Sequence, residues 1–83
     1  MKVKCGRDEF DLNKQDIIFD NGACYQITTR QTGHGWNTHI PVLSKLKAQK
    51  LIKNGQLILV KEEMKYVTVD GKEIWYKYYR IAD

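Results

Sequence analysis

Short runs of apolar and β-branched residues, separated by turn signals, predict strands in the first third of the chain. The first twelve residues alternate weakly between apolar and polar and predict one or two short strands. A β-rich run over residues 16–19 precedes Asn21-Gly22, and residues 23–30 are predicted to form its partner strand. Because both residues of Asn-Gly readily adopt φ > 0, this pair predicts a hairpin with a two-residue turn. The pleat of the second strand places Tyr25 and Ile27 on one face.

Residues 41–54 form the only segment whose pattern predicts a helix. Its apolar stripe follows the i, i+4, i+7, i+8 rule and contains Ser44, Ala48, Leu51, Ile52 and Gly55. Ser44 can cap the first turn, and Asn54-Gly55 ends the helix because glycine tolerates the left-handed conformation. The helical lysines fall on the opposite side or the flank of this stripe and form a possible basic patch: Lys45, Lys47, Lys50 and Lys53.

Three further strands are predicted after the helix. Residues 56–60 are apolar on both faces, which predicts a central strand covered on both sides. Residues 64–69 and 73–81 flank Asp70-Gly71, a second hairpin signal that would place Val67 opposite Ile74 and Tyr66 opposite Trp75. Both faces of this hairpin carry large side chains, and one short helix can cover only one of them. We therefore expect the other face to be covered by the N-terminal hairpin, by a second subunit or by a ligand, and we predict a homo-oligomer.

These elements predict an α+β fold, in which an N-terminal hairpin and a C-terminal three-strand meander form a small antiparallel sheet packed against one helix. The chain has 83 residues, one proline and no Ser/Gly-rich linker, so a single domain over residues 1–83 is predicted. Its composition is globular, with 42% hydrophobic and 29% charged residues. No apolar run approaches the ~18–20 residues of a membrane span, and no secretory leader is evident. We expect a cytoplasmic protein of a bacterial host cell that does not bind membranes.

The sequence offers little support for catalysis or for a metal site. No phosphate-binding loop, nucleophile elbow or HExxH motif is present. A nucleophilic pair can be imagined from Cys24 and His39, but a thiol on a predicted strand is more typical of a protein core. The spacing of Cys5 and Cys24 does not match a zinc finger. We expect a non-enzymatic protein with no cofactor, no bound metal and two reduced, buried thiols.

The segment from Arg30 to His39 is the best candidate for a binding loop. It contains Gly33-His34-Gly35, whose glycines let the backbone approach a ligand, followed by an indole that can stack on a base or on a partner side chain. Arg30 can donate two hydrogen bonds to a phosphate or carboxylate. The residues predicted to bind a ligand or partner are Arg30, His34, Trp36, Asn37 and His39. The alternative is that Trp36 packs on the core and that the rest of the loop is solvated.

Two basic segments are further candidates. The lysines of the predicted helix would attract phosphates, although a solvated helix face is the more common explanation for such a pattern. Residues 75–80 interleave aromatic side chains with cations. This pattern is typical of single-stranded nucleic-acid binding, of a protein interface, or of an edge strand with inward-facing aromatic residues. The net charge of +4 is modest for a dedicated strong DNA-binding protein.

The combination of Asn21-Gly22-x-Cys24-Tyr25, Gly35-Trp36, the lysine-rich helix ending at Gly55 and the closing Tyr78-Tyr79-Arg80-Ile81 resembles small accessory proteins of phages and prophages of low-GC Gram-positive bacteria. The resemblance spans most of the chain but includes no catalytic motif. It implies a protein that acts by binding.

Three functions follow from the residues and this resemblance together. The first is anti-CRISPR-like inhibition of a host defence system, through binding to a host protein or to its nucleic-acid component. The second is a nucleic-acid-binding module in phage gene control. The third is a nucleotide-binding sponge built on the Gly-His-Gly-Trp loop.

Overall fold

A computed structural model describes residues 1–82, with His34 described by its backbone only. Nine strands and one helix follow one another along this part of the chain. In chain order they are β1 (Lys2–Cys5), β2 (Asp8–Asp11), β3 (Ile18–Asp20), β4 (Tyr25–Ile27), β5 (Thr32–His34), β6 (Asn37–His39), β7 (Val42–Leu43), α1 (Lys45–Lys53), β8 (Leu57–Val67) and β9 (Glu73–Ile81).

The strands form one larger antiparallel sheet and two separate hairpins. The five-stranded sheet has the order β7-β4-β3-β9-β8, while β1 pairs with β2 and β5 pairs with β6. Together with the single helix, this arrangement confirms the α+β class. The predicted strands over residues 56–60 and 64–69 are wrong in one respect, because they are parts of one continuous strand, β8. The C-terminal meander is therefore a long two-stranded hairpin.

The hydrophobic core lies on one face of the five-stranded sheet. Register places Ile18 of β3 opposite Ile27 of β4 and Tyr79 of β9, so these three side chains share that face. The β1–β2 hairpin and α1 both pack onto it, contributing Val3, Leu12, Ala48 and Leu51 to the same buried cluster. Because both covering elements lie on the same side, neither of them covers the opposite face.

The helix is shorter than predicted and begins after Ser44, whose hydroxyl accepts a hydrogen bond from the Lys47 amide at 3.2 Å. The two residues before Ser44 form β7 instead, because their backbone pairs with β4. The predicted stripe is otherwise confirmed, since Ala48 and Leu51 are buried and Ile52 is half-buried. Among residues 1–82 there is no helix with the length and apolar character needed to cross a membrane.

Both predicted hairpin turns have longer connections than the sequence suggested. Asp20 pairs with Tyr25, so four residues connect β3 to β4, and Gly22 takes φ 91° whereas Asn21 does not take a positive φ. The Asn21 side-chain oxygen accepts hydrogen bonds from the amides of residues 23 and 24, both at 2.9 Å. This side-chain capping favours the wider turn over the two-residue form.

The second connection spans residues 68–72, and Val67 pairs with Glu73 rather than with Ile74. Thr68 closes this loop by accepting hydrogen bonds from the Lys72 amide through its hydroxyl, at 3.0 Å, and from the Gly71 amide through its carbonyl, at 2.9 Å. The predicted pairing of Tyr66 with Trp75 is also wrong, because Tyr66 lies opposite Ile74 and Met64 lies opposite Trp75. A strand register depends on the length of its turn, so one misjudged turn shifts every cross-strand pair.

The prediction that residues 56–60 form a central strand is wrong. β8 is the outermost strand of the sheet, and Ile58, Leu59 and Val60 are about half exposed. The interior positions belong to β4, β3 and β9 instead. An apolar run on both faces is typical of a covered strand, but the same pattern also arises in an edge strand whose apolar residues face a neighbouring surface.

Candidate binding surfaces

Arg30 is engaged within the chain by Asp16. Its Nε and Nη2 atoms donate to the two carboxylate oxygens at 2.8 and 3.0 Å, and Nη2 also donates to the carbonyl of Asp11 at 2.8 Å. Asp16 is only 3% exposed and accepts further hydrogen bonds from the Thr29 hydroxyl and the Asn13 amide. These contacts, Arg30 first, hold the pKa of Asp16 well below its usual range. The position of Arg30 is thus explained by the fold without an external anion.

Sequence reasoning did not single out Asp16 as a partner of Arg30. The two residues are 14 apart in the chain and lie at the open end of the β3–β4 hairpin, beyond its last paired strand residues. The cluster connects the end of β2 with the residues that follow β4, so its function is to fasten the N-terminal hairpin to the sheet. A phosphate or carboxylate would have to compete with this carboxylate for Arg30.

The segment predicted as a flexible loop is a small hairpin, formed by β5 and β6, with Trp36 at its tip. Gly33 has φ 96° and Gly35 has φ 59°, and a β-carbon at Gly33 would collide with the carbonyl oxygen of Asn37. Glycine is therefore required at position 33 for the hairpin to close. Trp36 is 102% exposed, so the alternative in which it packs on the core is wrong.

The other predicted residues of this segment are arranged around the same hairpin. Asn37 and His39 are exposed on β6, with His39 opposite Thr32 and Asn37 opposite the backbone of His34. The His34 side chain lies outside the described part of the structure. The Thr32 hydroxyl donates to the carboxylate of Asp8, which ties the hairpin to β2. The structure thus brings Trp36, Asn37 and His39 to one projecting hairpin and places Arg30 at its base.

The predicted basic patch is a solvent-exposed helix face. Lys45, Lys47, Lys50 and Lys53 are all exposed along α1. Since α1 covers the core face of the sheet, these lysines lie on the opposite side of the molecule from the uncovered sheet face. They do not form one surface with the aromatic residues of β9.

The uncovered sheet face carries a cluster of three aromatic rings. Phe19 stacks on Tyr78 with ring centroids 4.9 Å apart, and meets Tyr76 edge-on at 5.0 Å. The Nζ atom of Lys61 lies 5.6 Å from the centre of the Tyr78 ring, and that of Lys65 lies 5.5 Å from the centre of the Tyr76 ring. We call these five residues the aromatic face. Exposed apolar side chains extend it along the sheet: Val42, Ile58 and Tyr66.

Strand alternation explains why these rings share a surface. Phe19 follows Ile18 on β3, and Tyr78 precedes Tyr79 on β9. Ile18 and Tyr79 point to the core face, and successive side chains of a strand point to opposite faces, so Phe19 and Tyr78 both point to the uncovered face. The expectation of an edge strand for residues 75–80 is wrong, because β9 lies between β3 and β8. Only Tyr79 of its tyrosines is buried. Phe19, Lys61 and Lys65 are not among the binding residues that the sequence predicts, because the register that joins β3, β8 and β9 cannot be seen in any one segment.

Both cysteines are free and half-buried, rather than fully buried as expected. Burial raises the pKa of the Cys5 thiol, which opposes formation of the reactive thiolate. Among the residues whose side chains are described, no group of three or more His, Cys, Asp or Glu residues is arranged to hold a metal ion.

No family model, curated protein or solved structure matches the chain.

Proposed function

We propose that the chain is a non-enzymatic binding protein and that its aromatic face binds single-stranded nucleic acid. The observation that carries this proposal is the open sheet face on which Phe19, Tyr76 and Tyr78 lie beside Lys61 and Lys65. Aromatic rings on a sheet surface accept unstacked bases, while neighbouring cations contact the phosphates. The proposal extends to nucleic acid that is part of a host ribonucleoprotein.

The two lysines suit phosphate contacts for a physical reason. Each ammonium group ends a flexible four-carbon chain and lies against a ring, so it can move from the ring to a phosphate beside a stacked base. The net charge of +4 adds a general attraction for polyanions. Glu63 pairs with Tyr76 across the strands, and its Oε1 atom lies 3.4 Å from Lys65 Nζ. A phosphate would therefore compete with Glu63 for Lys65.

The resemblance to phage accessory proteins supplies the proposed biological setting. In that setting the chain would inhibit a host defence complex by occupying its guide or target strand. The same surface would serve phage gene control if the bound strand were a transcript. These two settings share one molecular activity, which can be measured directly.

The test is fluorescence anisotropy with labelled mixed-sequence single-stranded DNA and RNA at several salt concentrations. We expect Tyr78→Ala to weaken binding by about 5- to 100-fold, which corresponds to the loss of one stacked base. Tyr78→Phe should retain most of the affinity because it keeps the ring. Lys61→Ala should weaken binding and reduce its dependence on salt.

The matched control is Lys50→Ala, which removes the same charge from α1 on the other side of the sheet. If Lys50→Ala and Lys61→Ala weaken binding equally, the attraction is only a general effect of charge and the proposed surface is incorrect. No binding by the parent at low salt would reject a nucleic-acid ligand altogether.

A second candidate function, inhibition through a host protein, is favoured by one separate observation. Trp36 is fully exposed at the tip of the β5–β6 hairpin, and a projecting tryptophan suits insertion into a pocket of a protein partner. The nucleotide-binding alternative has less support, since a pocket for a base needs walls and the described residues leave the indole uncovered. A pulldown from host lysate with the parent and with Trp36→Ala, followed by mass spectrometry, separates a protein partner from a nucleic-acid one.

A further inference from the structure

The outer edge of β8 is a long, unpaired strand edge. β8 contains eleven residues and, within the described chain, is hydrogen-bonded to β9 alone. Its outward-facing amides and carbonyls can therefore accept another strand. Ile58, Leu59 and Val60 are about half exposed at one end of β8, and Met64, Tyr66 and Val67 are about half exposed at the other.

We propose that the partner of this edge is β8 of a second copy of the chain, paired antiparallel about a two-fold axis at Glu62. This arrangement joins two five-stranded sheets into one continuous sheet. It does not depend on the proposed nucleic-acid function. It also gives a specific surface to the self-association that the sequence predicts.

Charge complementarity selects this register. With the axis at Glu62, Lys61 of each copy lies opposite Glu63 of the other, which creates two opposite-charge pairs. Apolar residues meet in most of the remaining positions, where Ile58 faces Tyr66 and Leu57 faces Val67. The exception is Leu59, which faces Lys65. The two Glu62 side chains oppose each other, but each already has Lys77 as its cross-strand neighbour on β9. The four side chains in this row, Glu62 and Lys77 of each copy, together carry no net charge.

Neighbouring registers are less favourable. Moving the axis by one residue brings either Lys61 opposite Lys61 or Glu63 opposite Glu63. Moving it by half a residue would pair residues that point to opposite faces of the sheet, which the pleat does not allow. The pairing of β8 with β9 shows, for example, that Glu62 points to the core face and Glu63 to the aromatic face.

The irregularities of β8 fit the same axis. The register with β9 shifts between Leu59 and Lys61 and again between Met64 and Tyr66. About the proposed axis, the first irregularity of one copy faces the second irregularity of the other. Val60 of one copy and Lys65 of the other, the residues left unpaired with β9, then lie in the same stretch of the interface. The cross-strand pairs on either side of that stretch therefore stay matched. Bulges usually protect an edge from pairing with other strands, and this symmetry restricts pairing to a second copy.

The two-fold axis is perpendicular to the sheet, so both aromatic faces would lie on the same side of the joined sheet. Lys61 and Glu63 point to that side, as their partners Tyr78 and Tyr76 do. The interface would therefore leave the aromatic rings of both copies uncovered, while Lys61 of each copy contacts Glu63 of the other.

Charge exchange provides the test, by sedimentation velocity of the full chain from about 1 to about 100 µM. The parent should form a dimer in this range. Lys61→Glu and Glu63→Lys each place like charges opposite one another twice, so each should weaken dimerisation by at least about tenfold. The double variant K61E/E63K restores opposite charges and should recover dimerisation. Lys53→Glu on α1 changes the net charge by the same amount as Lys61→Glu and should leave the dimer intact.

A parent that stays monomeric at the highest concentration would overturn the proposal. So would single variants that dimerise as well as the parent, or a double variant that folds but dimerises no better than the single ones. Thermal melts establish that each variant is folded. Hydrogen exchange of the parent gives a readout without mutation: protection of the β8 amides should rise with concentration, and unchanged protection in a dimeric sample would place the interface elsewhere.

Discussion

Ile18 and Phe19 are neighbours on β3, yet they face two different environments. Ile18 points to the core face, beneath the β1–β2 hairpin and α1, and is fully buried. Phe19 points to the aromatic face, where it contacts Tyr76 and Tyr78 and is partly exposed to solvent. Both faces are rich in large side chains, so composition does not separate core from surface in this protein. The difference arises from which face the chain covers with its own elements.

Replacing Ile18 or Phe19 with alanine tests this difference between the two sheet faces most directly. Ile18→Ala should lower the free energy of unfolding by about 2–5 kcal/mol, because it leaves a cavity in a covered core. Phe19→Ala removes a larger side chain but should cost only about 1–2 kcal/mol, since its ring contacts lie on an open face. Urea titration of both variants measures the two values. Equal losses would mean that the aromatic face is covered in solution.

A second prediction concerns the attachment of the β1–β2 hairpin to the five-stranded sheet through Asp16 and Arg30. Asp16→Asn should lower stability by about 2–3 kcal/mol at pH 7, because Arg30 loses its charged partner while the amide keeps some hydrogen bonds. The pKa of Asp16 is lowered in the folded protein. Its charge therefore stabilises the fold above the unfolded-state pKa of about 3.9, and this contribution is lost as the pH falls further.

The difference between parent and Asp16→Asn should accordingly stay constant from about pH 7 to about pH 5 and shrink below about pH 4. Urea titrations at a series of pH values measure this difference. A difference that persists unchanged at the lowest pH would show that the carboxylate charge is not the stabilising feature.

The smallest effect on stability is expected at Trp36, at the tip of the β5–β6 hairpin. Trp36→Ala should change the free energy of unfolding by less than about 0.5 kcal/mol, because the indole is fully exposed. If the tip binds a partner, the same variant should lose that binding. A large drop in melting temperature would show instead that Trp36 packs on the sheet in solution.

The sequence predicted the elements of this fold better than their arrangement. The helical stripe through Ala48 and Leu51 and the hairpin around Asn21-Gly22 are local patterns, and both are present. The position of β8 at the edge was not predictable, because the apolar run at residues 57–60 looks the same in a central strand. The residues between this run and Met64 include no glycine, proline or asparagine, so no turn signal interrupts the chain and β8 continues through them.

The candidate site was less predictable than the fold. Trp36, Asn37 and His39 lie together on the β5–β6 hairpin because they are close in sequence. The engagement of Arg30 by Asp16 depends on the register of the β3–β4 hairpin, and the four-residue turn shifts that register from the one that a two-residue turn would give. The aromatic face depends on the alignment of three strands from distant parts of the chain. Its lysines therefore had no local signal to distinguish them from other charged residues.

The pairing of β3 with β9 also has a consequence for how the chain folds. Ile18 and Tyr79 are about 60 residues apart in sequence but adjacent in the sheet, so a large loop must close before the core face exists. The local hairpins β1–β2, β3–β4 and β8–β9 can form early, whereas β3 gains β9 as its neighbour only in the final docking step. We expect folding on the millisecond-to-second scale of topologies dominated by distant contacts, rather than the microsecond scale of small helical proteins.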